Sequence, residues 1–139
     1  MTDSDAFGAF IEITYDETLA LLVDTREYLN TLPKAQGSAA AGSPGRAETM
    51  SAISNLTWRM TELMSWLMLQ KAIIGGEISL EDAATHSSFN LPDIAIDETR
   101  HNSPDVDLPV VVRGLLDRSR RIGDRAIGLQ SSLSNARTH

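Results

Sequence analysis

Three stretches of this chain carry apolar residues at alternating steps of three and four positions. That spacing places side chains on one face of an α-helix. The stretches cover about residues 14–32, 44–75 and 108–135, and no stretch of the sequence alternates apolar and polar residues as a strand does. The pattern predicts an all-α fold, an antiparallel three-helix bundle with helices in up-down-up order.

The same spacing predicts which residues of each helix face the core. For the first helix these are Tyr15, Leu19, Leu22, Arg26 and Leu29. For the second they are Ile53, Leu56, Met60, Leu63, Leu67, Gln70 and Ile74. For the third they are Leu108, Val112, Leu115, Ser119, Ile122, Ala126, Leu129 and Leu133. Arg26 is unusual among them, and we expect its stem to pack at the edge of the core while its charge reaches an acid or water.

Capping signals predict several helix ends. Thr14 and Glu17 have the capping-box spacing at the start of the first helix. Gly75 and Gly76 predict the end of the second helix, because glycine tolerates the left-handed backbone conformation there. Ser79 is expected to cap a short helix that follows.

The length of 139 residues fits one domain. We expect an N-terminal arm at 1–13, a helical domain at 14–135 and a tail at 136–139. Small residues at 36–45 and an acidic, proline-containing stretch at 86–107 predict two loops.

Composition excludes several classes of function. The chain has no cysteine, which removes disulfide scaffolds and thiolate chemistry. Its start is acidic and its densest apolar window is far shorter than the roughly 20 residues of a spanning helix, so we expect a cytoplasmic protein without membrane insertion. The net charge of −7 disfavours binding to a phosphate backbone.

Catalytic patterns are scarce, and we expect no enzyme activity, no cofactor and no bound metal. The three histidines form no metal-ligand or nucleophile motif. The acidic 86–107 stretch offers the alternative of a small metal-binding or enzymatic protein, because it contains a cluster that could hold a hard cation through oxygens: Asp93, Asp97, Glu98, His101, Asp105 and Asp107. It lacks the pattern of a calcium loop, so solvated loop charge is the preferred interpretation.

Three arginines share one face of the third helix, namely Arg118, Arg121 and Arg125. On an acidic chain this stripe is a candidate surface for docking a protein partner. Three alternatives remain: the arginines pair with the acidic first helix, they only contribute to solubility, or they serve a nucleic-acid-associated regulator.

The second helix has apolar residues away from its predicted core face. Trp58, Trp66, Leu69 and Ile73 point to the flank or the opposite side, although Glu62 projects among them. Tryptophans on a second face are typical of a protein–protein contact, so these four residues are the candidate dimer interface. The alternative is that the other helices and the 80–107 segment cover this side.

Within this helix, WRMTELMSWLMLQKAIIGGEIS at 58–79 resembles the signature helix of the RcdA family, the alphaproteobacterial regulators of CtrA degradation. The matching residues are Ser65, Trp66, Leu67, Gln70, Gly76 and Glu77, with Lys71 in place of arginine. LVDTREYL at 22–29 and LPVVVRGLLDRSRRI at 108–122 are also similar to segments of that family.

The resemblance implies a dimeric three-helix bundle without catalysis. It implies an adaptor in cell-cycle-controlled proteolysis, which works with the ClpXP protease and a CpdR-type response regulator to deliver CtrA and other substrates. It also implies recruitment to a cell pole.

Overall fold

A computed structural model describes residues 2–36, 46–91 and 108–138 of the chain. These residues form four helices and no strand: α1 (Thr2–Gln36), α2 (Arg46–Ile74), α3 (Leu80–Ala83) and α4 (Val110–Thr138). Each of the three long helices packs against the other two. The all-α prediction is therefore confirmed.

Ion pairs show how α1 and α4 run relative to each other. Arg118 Nη1 lies 2.8 Å from Asp24 Oδ2, and Arg125 Nη1 lies 2.8 Å from Glu17 Oε1. Seven residues forward on α4 therefore correspond to seven residues backward on α1. The two helices are antiparallel.

The pair α1 and α2 is also antiparallel. Lys71 Nζ lies 3.4 Å from Glu12 Oε1, and Ile74, three residues later, lies against Gly8, four residues earlier. Since α2 and α4 both run against α1, they run parallel to each other.

The predicted up-down-up order is thus wrong, and the observed order is up-down-down. The connection at 75–109 explains how this is possible. It has about 35 residues and could span more than 100 Å when extended, whereas α2 is only about 43 Å long. A connection of that length can return to the starting end of the molecule, while a short loop would force antiparallel neighbours.

Helix α1 begins at Thr2, twelve residues before its predicted start, so residues 2–13 of the predicted arm are helical. Thr14 is fully buried inside the helix, and its hydroxyl donates to the Phe10 carbonyl at 2.7 Å. The capping-box prediction at Thr14 is therefore wrong. The apolar side chains of Phe7 and Ile11 join the core and make the additional turns stable.

The buried face of α1 is displaced from the predicted one. It consists of Ile11, Thr14, Thr18, Leu21, Thr25 and Leu32. Of the predicted residues, Leu19 is 45% exposed and Arg26 is exposed, while Tyr15, Leu22 and Leu29 are half-buried. An apolar-only pattern misses this face because half of it is threonine.

The predicted core faces of α2 and α4 are largely confirmed. Every predicted core residue of α2 is buried except Ile74, which is 50% exposed at the end of the helix. On α4 and just before it, the predicted residues from Leu108 to Ala126 are buried. Leu129 and Leu133 are half-buried as α4 extends to Thr138, three residues beyond its predicted end.

The end of α2 follows the glycine prediction. Gly76 has a φ of +76°, and the Glu77 N–H donates to the Ala72 carbonyl at 2.9 Å. The Ser79 hydroxyl then accepts from the Asp82 N–H at 3.0 Å and caps α3, as predicted. Most of the two predicted loops, 37–45 and 92–107, lies outside the described residues.

Candidate functional site

One side of α2 faces solvent, and its exposed positions carry no charged residue, although the half-buried Glu62 lies at the edge of this side. The exposed positions between Met50 and Met68 are Met50, Ser51, Ser54, Thr57, Trp58, Thr61, Ser65 and Met68. We call this set the α2 outer face. With a turn of about 100° per residue it occupies an arc of about 120° and is about 27 Å long.

Trp58 lies near the middle of the α2 outer face and is 50% exposed. Met50 and Met68 lie at its two ends. The remaining positions carry small hydroxyl side chains, which allow another backbone to approach closely. Tryptophan and methionine without charge are typical of the centre of a protein–protein contact, where charged residues are depleted.

Three of the four predicted dimer residues lie elsewhere. Trp66 is fully buried in the core of its own chain, Leu69 is 9% exposed, and Ile73 is half-buried. Helix α3 packs on α2, and its Ala83 is fully buried. The prediction of a second apolar face is therefore wrong for Trp66 and Leu69. Of the four predicted dimer residues, Trp58 alone lies on the α2 outer face.

A groove between α1 and α2 borders the α2 outer face. It has a volume of about 370 Å³, and Ile11, Tyr15, Met68 and Ile74 contribute apolar lining. Lys71 lies across it, with its Nζ 4.0 Å from the centroid of the Tyr15 ring in addition to the ion pair with Glu12. Met68 belongs to both surfaces, so the groove extends the apolar surface toward α1.

The arginine stripe of α4 lies beside α1. Arg118 and Arg125 form the ion pairs with Asp24 and Glu17, so the predicted alternative of internal pairing holds for these two. Arg121 is exposed and forms no ion pair with any residue that the structure describes.

A second groove of about 240 Å³ lies between α1 and α4 and is lined by the whole stripe. Its lining residues are Glu17, Ala20, Arg118, Arg121, Ile122 and Arg125. We call it the α1–α4 groove. The structure thus brings the three predicted arginines together at one surface.

Sequence reasoning missed a buried arginine in the core. Arg59 is only 4% exposed, and its Nη2 donates to Ser119 Oγ on α4 at 3.5 Å. Desolvation by burial, followed by repulsion from Arg120, lowers the pKa of Arg59. Its position, three residues after Leu56 and four before Leu63, is the signal that could have placed it on the core face.

The described residues contain no group of three or more His, Asp or Glu side chains close enough to hold a metal ion. The loop acids considered as ligands, Asp93, Asp97, Glu98, Asp105 and Asp107, lie with His101 outside the described residues. None of the described helices combines the length and apolarity needed to cross a membrane.

The described part of the chain is an all-helical protein whose notable surfaces are an uncharged helix face and a basic groove. The chain belongs to the DUF1465 family, a family of proteins of unknown function, whose model matches residues 3–139. No curated protein and no solved structure matches the chain.

Proposed function

We propose that this protein is a non-enzymatic adaptor that acts as a homodimeric three-helix bundle and binds other proteins. The α2 outer face carries this proposal. An exposed tryptophan at the middle of an uncharged helix face leaves apolar surface in water, and such surface is typical of interaction sites. The resemblance to the RcdA family supports the same role, because Trp58, Thr61, Ser65 and Met68 lie within the resembling segment 58–79.

The absence of charge at its exposed positions makes this face compatible with a second copy of the chain as its partner. The net charge of −7 opposes self-association through most surfaces, because like charges repel. A two-fold axis through the α2 outer face would place uncharged residues against the same residues of the other copy. Self-association through the α2 outer face therefore brings no like charges at its exposed positions into contact.

The size of the face limits the expected affinity. A contact about 27 Å long and about 10 Å wide covers roughly 300 Å² per copy, well below the roughly 800 Å² of a standard stable interface. Contribution from the bordering groove, through Met68 and Ile74, would enlarge it. We therefore expect a dimer that dissociates in the micromolar range.

The adaptor role follows the resemblance. The partners we propose are the ClpXP protease, a CpdR-type response regulator and substrates such as CtrA, in a cytoplasmic, cell-cycle-controlled proteolytic system. The RcdA resemblance also supports recruitment to a cell pole.

Light scattering tests the dimer. We expect the wild-type chain to have twice the monomer mass at tens of micromolar, and Trp58→Asp to shift it to the monomer because the change places two carboxylates in the contact. Val110→Asp is the matched control, since Val110 is also an exposed apolar residue but lies on α4. A monomeric wild type at this concentration would refute the dimer, and equal effects of the two variants would refute the assignment to α2.

Affinity capture tests the adaptor role. The purified wild-type chain is expected to retain ClpX or a response regulator from its native cytosol, and to accelerate degradation of a substrate by purified ClpXP. Failure of both readouts with folded protein would refute the proposed function.

A further inference from the structure

We infer that the α1–α4 groove binds an acidic peptide segment of a partner protein, with Arg121 as the anchoring residue. The inference rests on the proposed function, because it specifies the chemistry of a partner for an adaptor. It concerns a different surface from the α2 outer face.

Helical spacing brings the cationic groups to one side of the groove. Arg118, Arg121 and Arg125 follow each other at steps of three and four residues, so consecutive guanidinium groups are about one helical turn, roughly 5 Å, apart. Carboxylates on neighbouring turns of a helix, or two residues apart on an extended peptide, have a similar spacing. Ala20 leaves room between the two helices, and the buried Ile122 supplies an apolar floor.

The two ion pairs position the outer arginines and leave donors free. Arg118 and Arg125 each contact their α1 carboxylate through Nη1. A guanidinium has five N–H donors, so each retains donors for a second carboxylate. Arg121 can bind a carboxylate of the peptide without breaking any ion pair between described residues.

Charge selects the ligand class. The groove lining contains three arginines and one acid, Glu17, and Asp24 pairs with Arg118 beside it, so the arginines exceed these acids by one on a chain whose net charge is −7. A short acidic peptide is attracted to this local excess of positive charge. A long nucleic acid would extend past the groove onto α1, where Asp16 and Glu27 are exposed and would repel its phosphates.

Fluorescence anisotropy with a dye-labelled octaglutamate peptide tests the inference. At low salt we expect saturable binding to the wild-type chain, weakened about fivefold in Arg121→Gln, as for one exposed charge pair. Arg26→Gln is the matched control, because it removes the same charge from an exposed arginine on the α2 side of α1. We expect the Arg26→Gln variant to bind octaglutamate with the affinity of the wild type. Raised salt should weaken binding to both of these proteins.

Absence of saturable binding at low salt would overturn the inference, as would equal affinities of the Arg121→Gln and Arg26→Gln variants. Tighter binding of a DNA oligonucleotide of equal charge would assign the groove to nucleic acid instead. A monomeric wild type that binds octaglutamate through Arg121 would refute the dimer while supporting the groove. A dimer that captures ClpX but does not bind octaglutamate would support the proposed function and refute the inference about the groove.

Discussion

Threonine hydroxyls allow polar residues to occupy the buried face of α1. The hydroxyls of Thr14, Thr18 and Thr25 each donate to the carbonyl four residues earlier, at 2.7 to 2.8 Å. The polar group is satisfied within the helix, and the methyl group faces the core. A buried hydroxyl without such a partner would destabilise the fold by about 1–3 kcal/mol.

Two substitutions of Thr18 distinguish the contribution of its hydroxyl group to stability from that of its methyl group. Thr18→Val is expected to change the free energy of unfolding by less than about 0.5 kcal/mol, because the Thr14 carbonyl lies within the continuous helix and its backbone bond does not depend on the hydroxyl. Thr18→Ala is expected to lower it by about 1–2 kcal/mol through the lost methyl group and the cavity. Urea denaturation at one protein concentration measures both. Equal losses would mean that the hydroxyl itself stabilises the core.

Arg59 is a buried polar residue of a different kind from the threonines, because burial disfavours its charged group. Its guanidinium is desolvated and repelled by Arg120, and both effects disfavour its charged form. For a base with a lowered pKa, this cost is fully present at neutral pH and is relieved only as the pH rises through the lowered pKa toward the ordinary one.

Arg59→Met is expected to leave the free energy of unfolding unchanged or to raise it, because the variant keeps much of the volume and removes the desolvated charge. Arg59→Lys keeps the charge without the hydrogen-bond geometry and should be less stable than Arg59→Met. Chemical denaturation of the three proteins provides the comparison. A loss of about 3–5 kcal/mol in Arg59→Met would instead show that a carboxylate outside the described residues pairs with Arg59.

At the scale of elements, glycine has different effects at different positions. Gly76 has the positive φ that ends α2, a conformation that costs other residues about 1–2 kcal/mol. Gly114 lies inside α4, and a Cβ built on it meets nothing within 4 Å. The first glycine therefore stabilises a helix end, whereas the second only weakens a helix.

Alanine at these two positions should act in opposite directions. We expect Gly76→Ala to lower the free energy of unfolding by about 1 kcal/mol through backbone strain. Gly114→Ala should raise it by about 0.5–1 kcal/mol, because alanine loses less backbone entropy in a helix. Thermal unfolding of both variants and the wild type checks the sign. A destabilised Gly114→Ala would show that α4 contacts another surface at this position.

At the scale of the whole molecule, the parallel arrangement of α2 and α4 distinguishes this fold from an up-down-up bundle. The ion pairs place Ser54 and Val111 at nearly the same height, with Ser132 about 30 Å further along α4. All three positions are exposed, and the chain has no cysteine of its own. Site-directed spin labels can therefore be introduced without background.

We expect the spin-label distance between Ser54→Cys and Val111→Cys to be clearly shorter than that between Ser54→Cys and Ser132→Cys. Pulsed electron paramagnetic resonance on each doubly labelled chain, diluted with unlabelled protein, measures these distances within one copy. The reverse order of distances would require α2 and α4 to be antiparallel.

The sequence by itself determined the features that depend on local periodicity and local conformation. Leu56 and Leu63 recur at helical spacing and face the core, Gly76 ends α2, and Ser79 caps α3. These features could be predicted because their causes lie within a few neighbouring residues.

Only the tertiary structure decided which face of α1 is buried, which way α4 runs and which residues of α2 remain exposed. Trp66 and Trp58 are both off the predicted core face, yet the first is fully buried and the second is half exposed. For the candidate sites, the arginine stripe could be predicted from spacing, but its pairing with Asp24 and Glu17 could not. Burial and pairing depend on which distant segments come together, and a long connection such as 75–109 permits more than one arrangement of the same helices.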